Sequence, residues 1–299
     1  MINISREYII HTMSKENEPS AFCESGDIIA FQTFDCYGNK LLPENAKFGV
    51  DNPRLGNPAT GPLFVKGAAQ GDTLKVEIID IIVGPIGINV IGPSCECLSN
   101  KLVEYEIRRI PIEGGIAKLS NNLSLPINPM IGVIGVAPLD SAISTYLPGN
   151  HGGNMDCSQI KKGAVLYLPV LTEGALLAMG DIHALMGDGE ISENGLEIEG
   201  TAIVRVSVLP GLTRKAPAVC VDQKWMTIAS CKTLDEAAEE ATRMMYDFLI
   251  DEVGMEPYDA GLVLGLCGNL IICQKCNMYK TVRMELSLDC LAHTGYIPA

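Results

Sequence analysis

The chain has 299 residues, with 22 Lys and Arg against 36 Asp and Glu, so its formal net charge is −14. A hydrophobic fraction of 47% with 19% charged residues excludes a disordered chain. The acidic balance, without a cluster of Lys or Arg, argues against nucleic acid and anionic membranes as the main partners. The length allows one large domain or two ordinary ones.

Eleven cysteines and an N-terminal segment without an apolar core predict reduced thiols and a cytoplasmic location. The longest apolar runs, near 130–139 and 261–273, are interrupted by Gly, Pro or Asn. Both are shorter than the roughly 18 apolar residues that a membrane helix needs. We therefore expect no membrane-spanning segment.

Alternating or continuously apolar patterns predict strands along most of the chain before residue 230. In chain order, the predicted strands cover residues 27–34, 73–83, 103–107, 164–170, 175–182, 196–208, 218–229 and 282–288. Residues 39–63 contain four prolines and three glycines, which predicts a long loop, either a linker or a surface loop that closes over a site.

Helical signals lie near the C-terminus. The segment 233–236 (TLDE) is a capping-box sequence, apolar residues follow at helical spacing, and Gly254 marks the end. A second, short helix is predicted for 258–267. These patterns favour a mainly β fold with an α+β C-terminal portion: a β-sandwich or barrel body over 1–210 that carries the site, and a portion packed on it over 211–299.

Two glycine-rich segments carry the candidate chemistry, 148–156 (PGNHGGNMD) and 180–190 (GDIHALMGDGE). Each joins a histidine to carboxylates, a ligand set that suits zinc, whereas calcium uses oxygen ligands alone. Asp181 and His183 are two residues apart, so a strand would place both on one face. Asp35 follows a predicted strand and is expected at its mouth. The alternative is that these are ordinary Asp-Gly turns and a capped loop histidine.

The cysteines offer weaker candidates. Cys157 follows Asp156 and could be a nucleophile with His151 as its base, although a buried, inert thiol is the simpler interpretation. The CxxC at 273–276 and the CxC at 95–97 each lack the further ligands that a structural zinc site needs.

The two glycine-rich segments resemble the acetamidase/formamidase family. Supporting similarity lies in 31–35 (FQTFD), 71–78 (GDTLKVEI) and 270–274 (LIICQ), so the resemblance runs over roughly residues 20–290. Members of that family hydrolyse short aliphatic amides to a carboxylate and ammonia and are mainly β. The resemblance therefore implies a small amide substrate and a hydrolase.

The resemblance also implies that His151, Asp156 and His183 lie in one shared site, with Asp35 facing them. Our hypothesis from the residue types is that this site binds a divalent metal, expected to be zinc with calcium as the alternative. The candidate metal ligands are Asp35, His151, Asp156, Asp181 and His183, with Asp156 either a ligand or a partner of one. The candidate catalytic residues are Glu190, Asp188 and Asn154. Glu190 is expected to move the proton, and Asn154 or the backbone N–H groups of Gly152 and Gly153 to hold an oxyanion. Leu185 and Met186 are expected to wall a small pocket.

A second function stays open from the sequence alone. It is a non-catalytic β-sandwich that binds a small molecule or carbohydrate and holds calcium in its Gly-Asp loops. In either case the apolar content and few charges favour a homo-oligomer, most simply a dimer.

Overall fold

We analysed a computed structural model, which describes residues 1–51, 57–95 and 98–298. The strands are β1 Ile2–Ile4, β2 Ile9–Ile10, β3 Thr12–Met13, β4 Ala21–Cys23, β5 Ile28–Thr33, β6 Ala59–Val65, β7 Thr73–Val83, β8 Ile86–Ile91, β9 Glu106–Glu113, β10 Ile116–Ser120, β11 Leu123–Pro126, β12 Met130–Gly135, β13 Ile143–Ser144, β14 Gly152–Asn154, β15 Val165–Pro169, β16 Leu177–His183, β17 Gly200–Leu209, β18 Ala218–Val221, β19 Lys224–Cys231, β20 Asn269–Gln274 and β21 Lys280–Ser287. Two α-helices, α1 Leu234–Asp251 and α2 Pro257–Cys267, and a 3-10 helix over Leu288–Thr294 complete the elements of the described ranges. The predicted mainly β fold with late helices is confirmed.

Two large sheets organise the described residues. One has nine strands in the order β1-β5-β17-β7-β15-β18-β19-β21-β20. The other has the path β14-β12-β16-β6-β2, with β4 also on β6. Their apolar faces contribute to one large core, which contains Phe31, Leu166 and Val204. The division of the chain at residue 210 stays a prediction; the nine-stranded sheet includes strands from both sides of that position.

The smaller of these sheets carries both glycine-rich segments. Its strand β12 pairs with β16 on one side, with Met130 opposite His183, and with β14 on the other, with Val133 opposite Asn154. Residues that are far apart in sequence therefore meet at neighbouring strands. This pairing is what places the two segments at one site.

Several predicted strand boundaries are wrong. The stretch 218–229 is a hairpin rather than one strand, because Asp222 and Gln223 both have positive φ, at 50° and 57°, and turn the chain between β18 and β19. The strand predicted through 103–107 begins only at Glu106, and Tyr105 precedes it. The predicted loop 39–63 ends where β6 begins at Ala59; its residues 52–56 lie outside the described residues.

The C-terminal helix forms as its sequence predicts. The Thr233 hydroxyl accepts from the Glu236 N–H, and the Glu236 carboxylate accepts from the Thr233 N–H. Its buried face packs on the nine-stranded sheet, where Phe248 stacks on Trp225 with ring centroids 4.8 Å apart. This second core holds β19 and β21 in place. Within the described part of the chain, no helix has the length and apolarity to cross a membrane.

Candidate active site

His183, the last residue of β16, lies at the centre of a buried group of carboxylates. Its Nε2 is 3.2 Å from Glu197 Oε2 and 3.4 Å from Asp181 Oδ1. Asp181 and His183 are thus brought together by β16, as their spacing predicts. Glu197 reaches them from a neighbouring stretch that forms single β-bridges with Ile88 and His183.

Asp156 and Glu190 complete the group. Donor atoms of Asp156, His183 and Glu190 lie within 4.8 Å of one another, and so do those of Cys36, Asp181 and Glu197. The four carboxylates of Asp156, Asp181, Glu190 and Glu197, with His183, are called the acidic cluster below. Its members are at least nine-tenths buried.

The backbone at the cluster is unusual. Asp156, Asp181 and Glu190 have φ of 46°, 54° and 43°, in the left-handed region that side chains other than glycine rarely adopt. Gly132 on β12 is required as glycine, because a Cβ there would lie 2.6 Å from Asp156 Oδ1 and 2.8 Å from Asp181 Oδ2. Both carboxylates are therefore pressed against the bare backbone of β12.

Hydrogen bonds from other parts of the chain orient these side chains. Asn57 Nδ2 donates to Asp181 Oδ2 at 2.8 Å, and Asn277 Nδ2 donates to Asp156 Oδ2 at 3.0 Å. The Cys276 thiol donates to Glu190 Oε2 at 3.0 Å. The segment after β20 thus covers one side of the cluster.

Burial disfavours the charged form of these acids. It raises the pKa of Asp156 to about 7, with the charge of Asp181 adding to the effect. Burial likewise raises the pKa of Glu197 to about 7 and that of Glu190 well above its ordinary value. For His183, burial alone would lower the pKa, but the carboxylates of Glu197 and Asp181 raise it well above its ordinary value.

Four members of the cluster, Asp181, His183, Glu190 and Glu197, line a cavity of about 570 Å³. Among the described residues of its lining, Lys40 is the only Lys or Arg. Four carboxylates against one imidazole leave the inner end of the cavity short of positive charge. A cation or a set of protons is needed to balance it.

The residues of the cluster fit a divalent cation. They offer imidazole and carboxylate donors, the combination that suits zinc. Asp156 Oδ1 is buried and has no hydrogen-bond partner among the described residues. It also lies beside the Asp181 oxygen over Gly132, so two carboxylate oxygens converge where a side chain at position 132 is missing.

Asp35 and His151 are not members of the acidic cluster. Asp35 Oδ1 accepts from the N–H groups of Tyr37 and Asn39, at 2.9 Å and 2.6 Å, so this oxygen orders the loop after β5. Burial raises the pKa of Asp35 to about 6. His151 is buried against Gly149 and Gly153, and among the described residues it belongs neither to the two donor groups nor to the cavity lining. Burial lowers its pKa to about 4.

Asp188 is engaged elsewhere. Arg283 on β21 binds both of its carboxylate oxygens, at 2.7 Å and 2.8 Å, and Ser158 donates a third hydrogen bond at 2.7 Å. Partial burial opposes ionisation, but the bonds from Arg283 and Ser158 lower the pKa of Asp188. Glu190 and Asp188 are close in sequence, yet only Glu190 joins the acidic cluster.

Of the residues predicted to hold an oxyanion or to line the pocket, some line the cavity and others do not. Asn154 lines the cavity, and its Oδ1 accepts from Asn57 Nδ2 at 3.3 Å, so its amide N–H group is the end that can donate to a substrate. The Gly152 N–H already donates to Gly149 O at 3.0 Å. Leu185 and Met186 line a second cavity, of about 670 Å³, rather than the cavity at His183.

Cys157 is fully buried and is not among the described residues that line the cavity at His183. Its hydrogen bond with Cys273 lowers its pKa. Cys273 in turn accepts from Arg283 Nη1 at 3.6 Å. The thiol therefore belongs to the surroundings of Arg283.

Four further residues at the site were not predicted from the sequence: Cys36, Asn57, Glu197 and Asn277. Cys276 was considered only as part of the CxxC at 273–276. Glu197 had a usable signal, because it is an acid between two apolar residues in a stretch predicted as a buried strand. Cys36 directly follows Asp35. Asn57 and Asn277 have no such local signal. The pairing of β20 with β21 brings the turn that holds Cys276 and Asn277 to the cluster.

Comparison with known proteins gives consistent results. The model of the Acetamidase/Formamidase family matches residues 137–233. The crystal structure of an acetamidase from Bacillus halodurans shares 43% identity, with 99% of this chain and 100% of that chain covered and a TM-score of 0.95. A predicted acetamidase/formamidase from Thermoanaerobacter tengcongensis shares 37% identity, with 98% of each chain covered and a TM-score of 0.93.

A curated relative matches over a shorter stretch. The formamidase of Methylophilus methylotrophus is 38% identical over 72 residues, which are 24% of this chain and 18% of the formamidase. The matched stretch thus spans about a fifth of that curated relative.

Proposed function

Because the chain belongs to the acetamidase/formamidase family, we propose that it hydrolyses a carboxylic amide to a carboxylate and ammonia with the help of a bound divalent metal, expected to be zinc. The observation that carries this proposal is the acidic cluster: four buried carboxylates and one histidine, of which Asp181, His183, Glu190 and Glu197 line a cavity. Resemblance to proteins named acetamidase and formamidase supports the reaction. The metal rests on the donor set alone.

Asp156, Asp181 and His183 would hold the cation. A carboxylate oxygen of each aspartate lies within 3 Å of the place a Cβ of residue 132 would take, and Asp181 Oδ1 is 3.4 Å from His183 Nε2. A bound divalent cation lowers the pKa of a coordinated water towards about 7 and polarises an amide carbonyl. Glu197 contacts His183 Nε2 and balances its charge. Asn57 and Asn277 keep the two aspartates oriented through their hydrogen bonds.

Glu190 would receive the proton of the attacking water and pass it to the departing ammonia. Its pKa is raised well above the ordinary carboxyl value, by burial first and by the charge of Asp156 second. A raised pKa makes the carboxylate a stronger base towards a water proton. The Cys276 thiol holds the Glu190 carboxylate in place. Asn154 would donate its amide N–H to the developing oxyanion.

The test is ammonia release from a panel of primary amides, with zinc supplied, by the wild type and by Glu190→Gln. We expect kcat of the variant to fall by about 10²–10⁴-fold. The matched control is Glu173→Gln, the same substitution at an exposed position, which should keep wild-type activity. No turnover of any amide by the wild type would remove the amidase proposal, and full activity of Glu190→Gln would remove the role of Glu190.

A calcium-stabilised binding protein is the competing function. The imidazole at the centre of the cluster argues against it, because calcium takes oxygen ligands. Metal analysis of the purified protein separates the two. Stoichiometric zinc that is lost in His183→Ala supports the enzyme, and calcium alone supports the binding protein.

We further propose a cytoplasmic homodimer. The exposed apolar residues of α2 and β20 favour association of two copies, since five of them lie within residues 258–272: Tyr258, Leu262, Leu266, Leu270 and Ile272. Light scattering of the wild type should give twice the 32.1 kDa chain mass. Leu262→Glu should reduce it to one chain, and an unchanged mass would exclude this surface.

A further inference from the structure

The cavity is much larger than acetamide needs. Its volume of about 570 Å³ lies within the range of roughly 300–1,000 Å³ typical of pockets that bury drug-sized ligands. The acidic cluster occupies only the inner end. Formamide carries no apolar substituent and acetamide a single methyl group, so either would leave most of the cavity to water.

The cavity has an aromatic wall, formed by Tyr37, Phe48 and Tyr105. The rings of Phe48 and Tyr105 have centroids 4.8 Å apart, and Tyr37 meets Phe48 edge-on at 6.2 Å. Tyr37 and Phe48 are half-buried and Tyr105 is exposed, so ring surface is open to the cavity. An apolar group that covers this aromatic surface would remove it from water, and that transfer is favourable.

A small apolar cluster holds this wall in position. Leu41, Ile88 and Val90 are buried beneath it, and Tyr37 and Phe48 pack against them. Val90 also lines the cavity. The wall is therefore supported from behind by strand β8, as expected for a pre-formed binding surface.

The charge of the cavity limits the class of substituent further. The inner end is rich in carboxylates, and Lys40 is the only Lys or Arg in the described part of the lining. A substituent with its own carboxylate would be repelled, whereas a neutral ring would gain contact with the wall.

We infer that the substrate class is a neutral primary amide whose acyl group carries a bulky apolar or aromatic substituent seated against the aromatic wall. This inference rests on the proposed amide hydrolysis. Water adds to the carbonyl carbon, the C–N bond breaks, the nitrogen leaves as ammonia, and the substituent stays with the carboxylate. The reaction is unchanged, but the wall gives affinity that acetamide cannot use.

The test compares kcat/KM for phenylacetamide and acetamide in the zinc-supplied protein. We expect the wild type to prefer phenylacetamide by about 10-fold or more, because even one methylene in an apolar pocket is worth about 10–200-fold. Phe48→Ala should lose that preference, because its kcat/KM for phenylacetamide should fall by about 10-fold or more. The control is Phe22→Ala, which removes an exposed ring on β4 and should leave both values unchanged.

A second variant covers the case in which Phe48→Ala does not fold. Tyr105→Leu removes a more exposed ring of the same wall and should lower the preference for phenylacetamide. Equal or better turnover of acetamide by the wild type would overturn the inference and leave the amidase proposal standing.

Calorimetry on Glu190→Gln separates binding from turnover. Phenylacetamide that binds there more tightly than acetamide, and binds weakly once Phe48→Ala is added, supports the wall even if the wild type turns over neither amide. Equal binding of the two amides overturns it.

Discussion

Two charged clusters lie on either side of Gly189, and they differ in how their charges are balanced. On one side, Arg283 binds Asp188 through two hydrogen bonds and Glu285 through a third, at 2.7 Å, and Lys224 binds Glu285 at 2.8 Å. Two cations thus meet two carboxylates. On the other side, the acidic cluster sets four carboxylates against His183.

The difference in charge balance indicates which cluster supports the fold and which can bind a ligand. A balanced, fully hydrogen-bonded cluster has little to offer a ligand, and its pKa values move towards the charged forms, as those of Asp188 and Arg283 do. The unbalanced cluster keeps protons or attracts a cation, and the pKa values of its acids rise. Asp188 and Glu190 look alike in the sequence, but they belong to opposite kinds of cluster.

The strongest way to break the comparison is to reduce the charge of the acidic cluster with Asp156→Asn. We expect activity and zinc affinity to fall by about 100-fold or more, since residues that only support metal ligands already cost about 10–100-fold. The metal-free protein should unfold at higher urea, because one buried carboxylate is removed. Urea unfolding with a chelator, together with zinc titration, measures both. A variant that is less stable and still active would contradict the distinction.

The converse change is Arg283→Met in the balanced cluster. Loss of one partner leaves buried charge behind and should lower the free energy of unfolding by about 3–5 kcal/mol. The double variant with Asp188→Asn should recover part of this loss. Zinc bound per folded molecule should stay near the wild-type level; a loss of zinc as large as in Asp156→Asn would show that the two clusters act as one.

The pH dependence of stability should distinguish the clusters as well. Asp156 and Glu197 have pKa values of about 7 in the folded protein, above the ordinary carboxyl value of about 4. The folded state therefore holds protons that the unfolded state has released, so the free energy of unfolding of the metal-free protein should fall as pH rises from about 4 to about 7. The pKa of His183 is raised above the ordinary histidine value of about 6.5. Above that pH the folded state therefore keeps a proton that the unfolded state releases, which also lowers the free energy of unfolding as pH rises.

Urea unfolding with a chelator across this pH range provides the measurement. Excess zinc should flatten the curve, because the cation replaces the protons. The lowered pKa of Asp188 gives no change in this window. Stability that rises with pH in the metal-free protein would contradict the assignment.

The smallest effect is expected for Cys157→Ala. Its thiol is buried beside Cys273, outside the cavity lining of the described residues, so kcat/KM should stay within about 2-fold of the wild type. An amide-hydrolysis assay on folded, zinc-loaded protein tests this. An inactive variant would instead favour a thiol nucleophile.

Local patterns predict much of the fold. The capping box at Thr233 and the alternation in β5, β7 and β21 correspond to the observed elements. The hairpin at Asp222 and Gln223 was missed because both flanking strands are apolar and no glycine marks the turn. Such turns depend on backbone angles that are only weakly predicted by the residue types at the turn.

The site was predictable only where its residues are close in sequence. Asp181, His183 and Glu190 lie within one segment, whereas Asn277 reaches Asp156 from 121 positions away. The different environments of Asp188 and Glu190 depend on Arg283, 95 positions along the chain from Asp188. Composition and spacing contain no information about that partner.

The left-handed backbone at Asp156, Asp181 and Glu190 has a consequence for protein engineering. Each such conformation costs about 1–3 kcal/mol, and glycine would adopt it without that cost. Glycine would also remove a buried carboxylate at each position. Selection for thermal stability alone should therefore favour glycine at these three positions and yield stable but inactive variants. A screen of variants thus needs an activity assay beside the stability assay.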